Sequence, residues 1–307
     1  MSLSRVAAID CGTNSIRLLV ADLDPDTGEL HELDRRMTIV RLGQGVDRTG
    51  RLAPEALERT FAACREYASV IAAHGATRLR FVATSASRDA ENREEFTAGV
   101  RAILGVEPEV VSGDEEAELS FTGATRELLG STELRPPYLV FDLGGGSTEF
   151  VLGTDRVEAA RSVDIGCVRM TERHGSDTLA MRADIKRALD LAAETVPLTG
   201  AATLVGLAGT VTTVAAIALE LPTYDWAAIH HSRIPLERVR EVTTMLLAAS
   251  HEERAAIPVM HPGRVDVIGA GALVLLAVME RTGAAELVVS EHDILDGIAW
   301  SVVVSRA

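Results

Sequence analysis

The sequence predicts an α/β fold made of two related halves, and three observations support this prediction. Strand-like runs alternate with helical periodicity along the whole chain. The pattern Asp-x-Gly-x-x-Ser occurs twice, 132 positions apart, at 10–15 and at 142–147. The chain has 307 residues, of which 47% are apolar, and this is enough for two domains of ordinary size.

Each copy of the pattern is predicted to form a strand, a tight glycine turn and a second strand. Apolar runs precede the copies at 6–9 and 138–141 and follow them at 16–20 and 149–152. Glycine lets a ligand approach the backbone, main-chain N–H groups and the serine hydroxyl donate hydrogen bonds, and the aspartate can hold a cation. The matched pair therefore indicates a phosphate chain with a divalent metal. Two ordinary hairpin turns are the alternative interpretation, because Gly, Asp and Asn also favour plain turns.

The other elements of the first half follow from periodicity and from helix-boundary residues. Pro54 is expected to open a helix that Gly75 ends. Asn92 and Glu95 predict a capping box at the start of a second helix. Further strands are predicted at 29–41, 78–83 and 107–111, and a further helix at 114–129.

The second half repeats this plan after a predicted linker. The segment 130–137 contains two prolines and no apolar pattern, and it divides the chain into predicted domains 1–130 and 131–307. Pro235 is expected to open a long helix, and a closing helix ends the chain. The remaining predicted elements are strands at 138–143, 147–152, 156–163, 203–207 and 286–290 and an apolar helix near 269–279.

Composition limits the partners and the compartment. Asp and Glu (45) outnumber Lys and Arg (30), and the net charge of −15 repels nucleic-acid backbones and anionic membranes. The odd count of three cysteines, in no metal-ligand spacing, is typical of a reducing compartment. The start of the chain does not resemble a signal peptide, and the most apolar segment, 268–279, is too short to cross a bilayer. We therefore expect a soluble, cytoplasmic protein that binds neither nucleic acid nor membrane.

Six motifs, in this order, carry a family resemblance: 9–15, 83–88, 112–117, 142–149, 209–213 and 290–297. Two domains that each begin with such a hairpin resemble the actin, sugar kinase and heat-shock ATPase superfamily, whose actin-like (ribonuclease H-like) domains flank a cleft. The six motifs together resemble the short, two-domain members of the Ppx/GppA family of exopolyphosphatases and guanosine pentaphosphate phosphohydrolases. This resemblance implies release of terminal phosphate from inorganic polyphosphate, from guanosine pentaphosphate (pppGpp) of the stringent response, or from both. It also implies Mg²⁺ or Mn²⁺ as cofactor and a possible homodimer.

The resemblance also implies roles for four carboxylates. Glu116 matches the family's catalytic glutamate, which is thought to activate water, and phosphoanhydride cleavage needs little more than an aligned water and charge neutralisation. Asp142 and Glu149 match positions implicated in catalysis and metal binding, and Asp10 is the equivalent metal-binding group of the first half. The alternative for 114–118 is a solvated acidic first turn of a helix.

The expected phosphate ligands come from the two turns, from two arginines and from a third glycine turn. Arg88 follows a predicted strand and small residues, and its guanidinium suits bidentate phosphate binding. Arg17 is a weaker candidate, because strand alternation also allows it to face solvent. His230 and His231 are expected to be structural or interfacial. The full predicted set is Gly12, Thr13, Asn14, Ser15, Arg17, Arg88, Gly144, Gly145, Gly146, Ser147, Gly209 and Thr210.

Three rival functions use the same sequence features. Cys11 and Arg17 satisfy Cys-x5-Arg, the loop of cysteine-dependent phosphatases, but a strand is predicted where that loop runs into a helix, and Asp10 would raise the thiol pKa. A kinase of the same fold would transfer phosphate to acetate or a sugar instead of water. A non-catalytic alarmone-binding regulator would keep the fold and hydrolyse slowly.

Overall fold

A computed structural model describes residues 3–24, 27, 29–128 and 133–304. The strands are β1 (Ser4–Cys11), β2 (Ser15–Leu23), β3 (Leu30–Ile39), β4 (Arg78–Ala83), β5 (Glu109–Val110), β6 (Tyr138–Leu143), β7 (Thr148–Gly153), β8 (Val157–Val163), β9 (Thr203–Leu207), β10 (Arg233–Pro235) and β11 (Glu286–Val289). The helices are α1 (Val46–Thr49), α2 (Pro54–His74), α3 (Ser85–Arg88), α4 (Arg93–Leu104), α5 (Gly113–Thr125), α6 (Cys167–His174), α7 (Thr178–Ala193), α8 (Ala208–Ala218), α9 (Trp226–Ile229), α10 (Leu236–Ala248), α11 (His251–Ala255), α12 (Ile268–Thr282) and α13 (Ile294–Val304).

The first compact unit, formed by described residues of 1–123 and 294–307, is built on a mixed sheet in the order β3-β2-β1-β4-β5. β1 pairs antiparallel with β2 and parallel with β4. Along β1 the side chains alternate between two cores, because successive residues of a strand point to opposite faces. Ala7, Ile9 and Cys11 pack with α2 and α4, whereas Val6 and Ala8 pack with α13. Burial on both faces explains why residues 6–9 of this strand are apolar without interruption.

The second unit, formed by described residues of 124–293, repeats the same plan with a sheet in the order β10-β11-β9-β6-β7-β8. β6 pairs antiparallel with β7 and parallel with β9, as β1 does with β2 and β4. Its core is larger, and the apolar helix α12 is buried along most of its length between the sheet and neighbouring helices. The repeated hairpin therefore occupies the same topological position in both units.

The helix α13 lies in the first unit, where it packs on β1 and β2. By contrast, the domain boundary predicted from the sequence, between 1–130 and 131–307, assigns this helix to the second domain. Gly297 makes the packing close, because a Cβ at this position would lie 2.0 Å from the carbonyl oxygen of Leu119 in α5. Residues 129–132, which include the end of one predicted helix and the start of the predicted linker, lie outside the described residues.

Most predicted elements appear within a few residues of their expected bounds, and the helix of Pro54 ends at a left-handed Gly75. The predicted capping box of Asn92 and Glu95 is wrong. The Asn92 side chain makes no cap hydrogen bond, and instead its Oδ1 accepts the N–H of Leu52 (2.8 Å) while its Nδ2 donates to the carbonyl of Leu52 (3.1 Å). Asn92 is buried, so this pair of bonds satisfies both ends of its amide.

No helix among the described residues combines the length and the apolar character needed to cross a bilayer.

Candidate functional site

The second hairpin brings two carboxylates side by side in the second unit. Asp142 near the end of β6 is paired directly with Glu149 in β7, and directly opposed residues of an antiparallel pair share one face of the sheet. Both are buried, with 7% and 1% of their surface exposed, and Ser162 Oγ donates to Glu149 Oε1 at 2.7 Å. Two carboxylates in this arrangement offer the oxygen ligands that Mg²⁺ prefers.

The glycine turn between these strands is oriented by the start of α6. The carbonyls of Gly144, Gly145 and Gly146 accept hydrogen bonds from backbone N–H groups of residues 166–169, at 2.8–3.2 Å. In a trans peptide the C=O and N–H groups point in opposite directions. The N–H groups of Gly145, Gly146 and Ser147 therefore face away from α6, as in a backbone anion-binding nest.

The first hairpin has the same construction in the first unit. The carbonyls of Thr13 and Asn14 accept hydrogen bonds from the N–H groups of residues 40, 41 and 43 at 2.8–3.1 Å, so the N–H groups of Asn14 and Ser15 face the other way. Among the described residues, the buried Thr13 Oγ1 has no hydrogen-bond partner. A buried hydroxyl without a protein partner can form a hydrogen bond with a ligand or with water.

The two hairpins differ in the residue paired with their aspartate. Asp10 is paired with Arg17 in the same register in which Asp142 is paired with Glu149. Arg17 donates from Nε and Nη2 to Asp10 Oδ2, at 3.0 and 2.7 Å, so Arg17 is turned towards this carboxylate and is only 20% exposed. The first hairpin therefore holds an ion pair where the second holds two acids.

Glu116 and Arg88, predicted from separate motifs, are in contact in the first unit. Arg88 Nη1 donates to Glu116 Oε2 and to the carbonyl of Val111, both at 3.0 Å. Ser112 Oγ caps α5 by accepting the N–H of Glu115, and this places Glu116 in the first turn of the helix. The Glu116 side chain is 10% exposed. The acidic first turn is thus not uniformly solvated.

Glu115, the neighbour of Glu116, has a different environment. Its side chain is 45% exposed and accepts from Arg80 Nη2 at 2.8 Å. The structure therefore separates two adjacent glutamates that the sequence does not distinguish. Glu115 belongs to a surface ion pair, whereas Glu116 lies beside an arginine predicted to bind phosphate.

The third glycine turn lies in the second unit, where Gly209 and Thr210 form the first turn of α8 after the buried strand β9. A Cβ on Gly209 would lie 1.3 Å from Arg264 Nη1, so the guanidinium of Arg264 rests directly on this glycine. Sequence reasoning missed Arg264, because no motif connects it with the turn. It also missed Arg169, whose Nε donates to the carbonyl of Gly146 at 2.7 Å.

The surroundings of Cys11 disagree with a cysteine-dependent phosphatase. Cys11 is fully buried at the end of β1, and Ile16 to Val20 belong to a strand. Burial raises the pKa of the Cys11 thiol well above its usual range, and the neighbouring Cys64 and Asp10 raise it further. A thiol that stays protonated is a poor nucleophile.

Comparison with known proteins identifies relatives of this chain. The family model of the Ppx/GppA phosphatase family matches residues 19–305. Exopolyphosphatase 2 of Mycobacterium tuberculosis is 52% identical over 320 aligned residues, which cover 98% of this chain and 99% of that protein. A crystal structure of an exopolyphosphatase-like protein is 45% identical, with a TM-score of 0.92 and 98% of both chains covered. A crystal structure of the Aquifex aeolicus Ppx/GppA family member is 28% identical, with a TM-score of 0.80 and 99% of both chains covered.

The two mixed sheets and these structural relatives define an actin-like, two-domain α/β fold. The chain belongs to the Ppx/GppA phosphatase family.

Proposed function

We propose that this protein is a Mg²⁺-dependent phosphohydrolase that releases terminal phosphate from inorganic polyphosphate and also accepts pppGpp. The observation that carries the proposal is the duplicated hairpin, with its backbone N–H groups directed away from the segment that holds its carbonyls. The exopolyphosphatase relative at 52% identity supports polyphosphate as the substrate. Release of terminal phosphate from pppGpp breaks the same phosphoanhydride bond, and this supports the second substrate.

Phosphate oxygens are assigned to the two turns and to Arg88. The turns offer main-chain N–H donors with the hydroxyls of Thr13, Ser15 and Ser147, which suit an anion without adding charge. Arg88 uses Nη1 for Glu116 and Val111, and we assign its Nε and Nη2 to phosphate. The net charge of −15 makes such local donors necessary, because the protein as a whole repels an anion.

Glu116 is assigned to the attacking water. Its Oε2 is fixed by Arg88, and its position in the capped first turn of α5 limits its movement. A carboxylate oxygen held in this way can accept a proton from water and orient it towards phosphorus. Arg88 would then contact both the carboxylate and the phosphate, and would hold them in a fixed relation to each other.

Asp142 and Glu149 fit a divalent cation. They are buried, adjacent and on one face, and both offer hard oxygen ligands. When bound, Mg²⁺ or Mn²⁺ would neutralise charge on the phosphate oxygens. Asp10 stays a predicted ligand, but its pairing with Arg17 makes it less suited to a cation than the acids of the second hairpin.

Phosphate release by the purified full-length protein tests the proposal. Short polyphosphate, long polyphosphate, pppGpp and ATP are compared with Mg²⁺, with Mn²⁺ and with EDTA. Glu116→Gln should lower turnover by at least about 100-fold, the lower end expected for loss of a positioned general base. Glu115→Gln is the matched control, because it makes the same change at the next residue and disturbs only a surface ion pair.

Equal turnover in the Glu116 and Glu115 variants would overturn the role of Glu116. Full activity in EDTA would overturn the metal requirement. Phosphate transfer from ATP to acetate or a sugar, without release from polyphosphate, would establish the kinase alternative. Binding of pppGpp without turnover would establish the regulator.

A further inference from the structure

Three metal-ligating side chains from distant positions in the sequence meet in the second unit. Glu127 lies just after α5, His230 just after α9, and His292 between β11 and α13. One carboxylate oxygen and one nitrogen of each imidazole all lie within 4.8 Å of one another. His230 Nε2 is 3.2 Å from Glu127 Oε2, and His292 Nε2 is 3.8 Å from Glu127 Oε1.

We propose that Glu127, His230 and His292 bind a divalent transition-metal ion of the Zn²⁺ class. Two imidazoles and one carboxylate form a common zinc donor set. Bonds of about 2.0–2.2 Å at tetrahedral angles separate ligand atoms by about 3.4 Å. The two observed separations, one to each carboxylate oxygen of Glu127, lie on either side of this value. Imidazole nitrogen selects Zn²⁺ and its neighbours in the first transition series over Mg²⁺, which prefers oxygen.

Neighbouring groups hold the imidazole of His230 and the backbone of His292 in place. The ring of Trp226 stacks on His230 with centroids 4.8 Å apart and planes 16° apart. The fully buried Ser290 donates to the carbonyl of His292 at 2.7 Å and accepts its N–H at 3.1 Å. Oriented ligands of this kind lower the entropy lost when an ion binds.

The site also has a route to solvent. The side chains of His230 and His292 are 11% and 15% exposed, whereas that of Glu127 is 52% exposed. The carboxylate therefore forms the outer side of the cluster, and we expect water to complete a four-coordinate ion there.

The hydrogen bonds of His230 give the site a measurable signature. Nδ1 of His230 accepts the N–H of Glu291 at 3.2 Å, so in the metal-free protein the ring proton of the neutral imidazole is on Nε2. Coordination through Nε2 requires this proton to move, through solvent, to Nδ1. The contact with the Glu291 amide must then break, and its NMR resonance should shift.

This inference does not depend on the proposed phosphohydrolase function. Asp142 and Glu149, assigned to Mg²⁺, offer only oxygen and lie in the paired strands β6 and β7, whereas Glu127, His230 and His292 lie outside the strands. Millimolar Mg²⁺ should therefore leave an ion at the imidazole cluster in place.

The test uses the full-length protein stripped of metal with EDTA and returned to buffer with excess Mg²⁺. Zn²⁺ is titrated by calorimetry, and Co²⁺ is followed by its visible absorption bands. We expect one ion per chain, and we expect His230→Gln and His292→Gln each to weaken binding at least about 100-fold, since even loss of a second-sphere partner costs 10–100-fold. His251→Gln is the matched control, because His251 also pairs with a carboxylate, Asp266 (3.2 Å), at an exposed site of the same unit.

Unchanged Zn²⁺ affinity in both histidine variants, or displacement of Zn²⁺ by Mg²⁺, would overturn the proposal. Circular dichroism checks that each variant is folded. Glu127→Gln, at the exposed side of the cluster, provides a third variant should a histidine variant unfold, and it too should weaken binding. In the unaltered protein, a Glu291 amide resonance that does not respond to Zn²⁺ would equally overturn the assignment.

Discussion

Gly166→Ala should disrupt the glycine turn of the second hairpin, although Gly166 is not part of that turn, because the added methyl group would clash with it. Gly166 precedes α6 with φ −78° and ψ 159°, a conformation that alanine adopts freely. A Cβ built there would lie 2.2 Å from the carbonyl carbon and oxygen of Gly145 and 2.4 Å from the nitrogen of Gly146. The conflict is therefore with backbone, and no side-chain rotation can relieve it.

The size of the effect follows from these distances. Cβ atoms essentially never approach a heavy atom closer than 3.0 Å, so the turn must move by at least about 0.8 Å from its contact at 2.2 Å. A shift of this size threatens the bonds from the amides of Cys167 and Val168 to the turn carbonyls, now 3.0 and 2.8 Å. Overpacking costs about 1–3 kcal/mol and the loss of one of these two hydrogen bonds about 1 kcal/mol, so we expect a loss of about 2–4 kcal/mol in the free energy of unfolding.

Turnover should fall by more than the loss of folded protein explains, because displacement of a binding group by about 1 Å can cost about 100-fold in rate. Urea unfolding measures the first effect, and phosphate release from polyphosphate, under conditions where the variant is folded, measures the second. Gly269→Ala is the control: its Cβ would lie no closer than 3.5 Å to a neighbour, and alanine favours the helix by about 0.5–1 kcal/mol. Normal stability and normal turnover of Gly166→Ala would refute the reasoning.

Three further predictions concern residues away from the proposed catalytic groups. Asp296→Ala should lower the free energy of unfolding by about 1.5–3 kcal/mol in urea titrations, because Arg35, now 2.6 Å from this buried carboxylate, would keep only its ion pair with Glu32; a change below about 0.5 kcal/mol would contradict this. Asn92→Asp should also lower the free energy of unfolding, by about 1–3 kcal/mol, because aspartate cannot donate a hydrogen bond to the carbonyl of Leu52. Unchanged stability would support the helix-cap role instead, because aspartate caps helices as well as asparagine does. Cys11→Ser should keep phosphate release within about twofold, since the thiol is buried and protonated; complete inactivation of a folded variant would revive the thiolate mechanism.

The repeated motif is what made the fold predictable. Asp-x-Gly-x-x-Ser between apolar runs indicated a strand, a turn and a strand in each half, and the structure has both hairpins at the same topological position. Periodicity and boundary residues indicated most helices, including one from Pro54 to Gly75. These signals are local, because they depend on backbone preferences and side-chain alternation within a few residues.

Contacts between distant segments were not predictable in the same way. The sequence could not show that Asn92 would bond to Leu52 instead of capping its own helix, because either partner satisfies the amide. It also could not show that α13 would return to pack on β1. The packing of whole helices and strands decides which buried polar groups form hydrogen bonds with each other. Local sequence patterns do not predict these pairs.

The sequence by itself determined the residue types of the candidate site and the turns that carry them. The pairs Asp10–Arg17 and Asp142–Glu149 follow from the register of their hairpins, whereas only the tertiary structure decided that Arg88 contacts Glu116, 28 positions along the chain. It alone brought His292 to His230 and Glu127. The physical reason is that charge and ligand chemistry depend on separations of a few ångströms, which are set when segments far apart in the chain pack against each other.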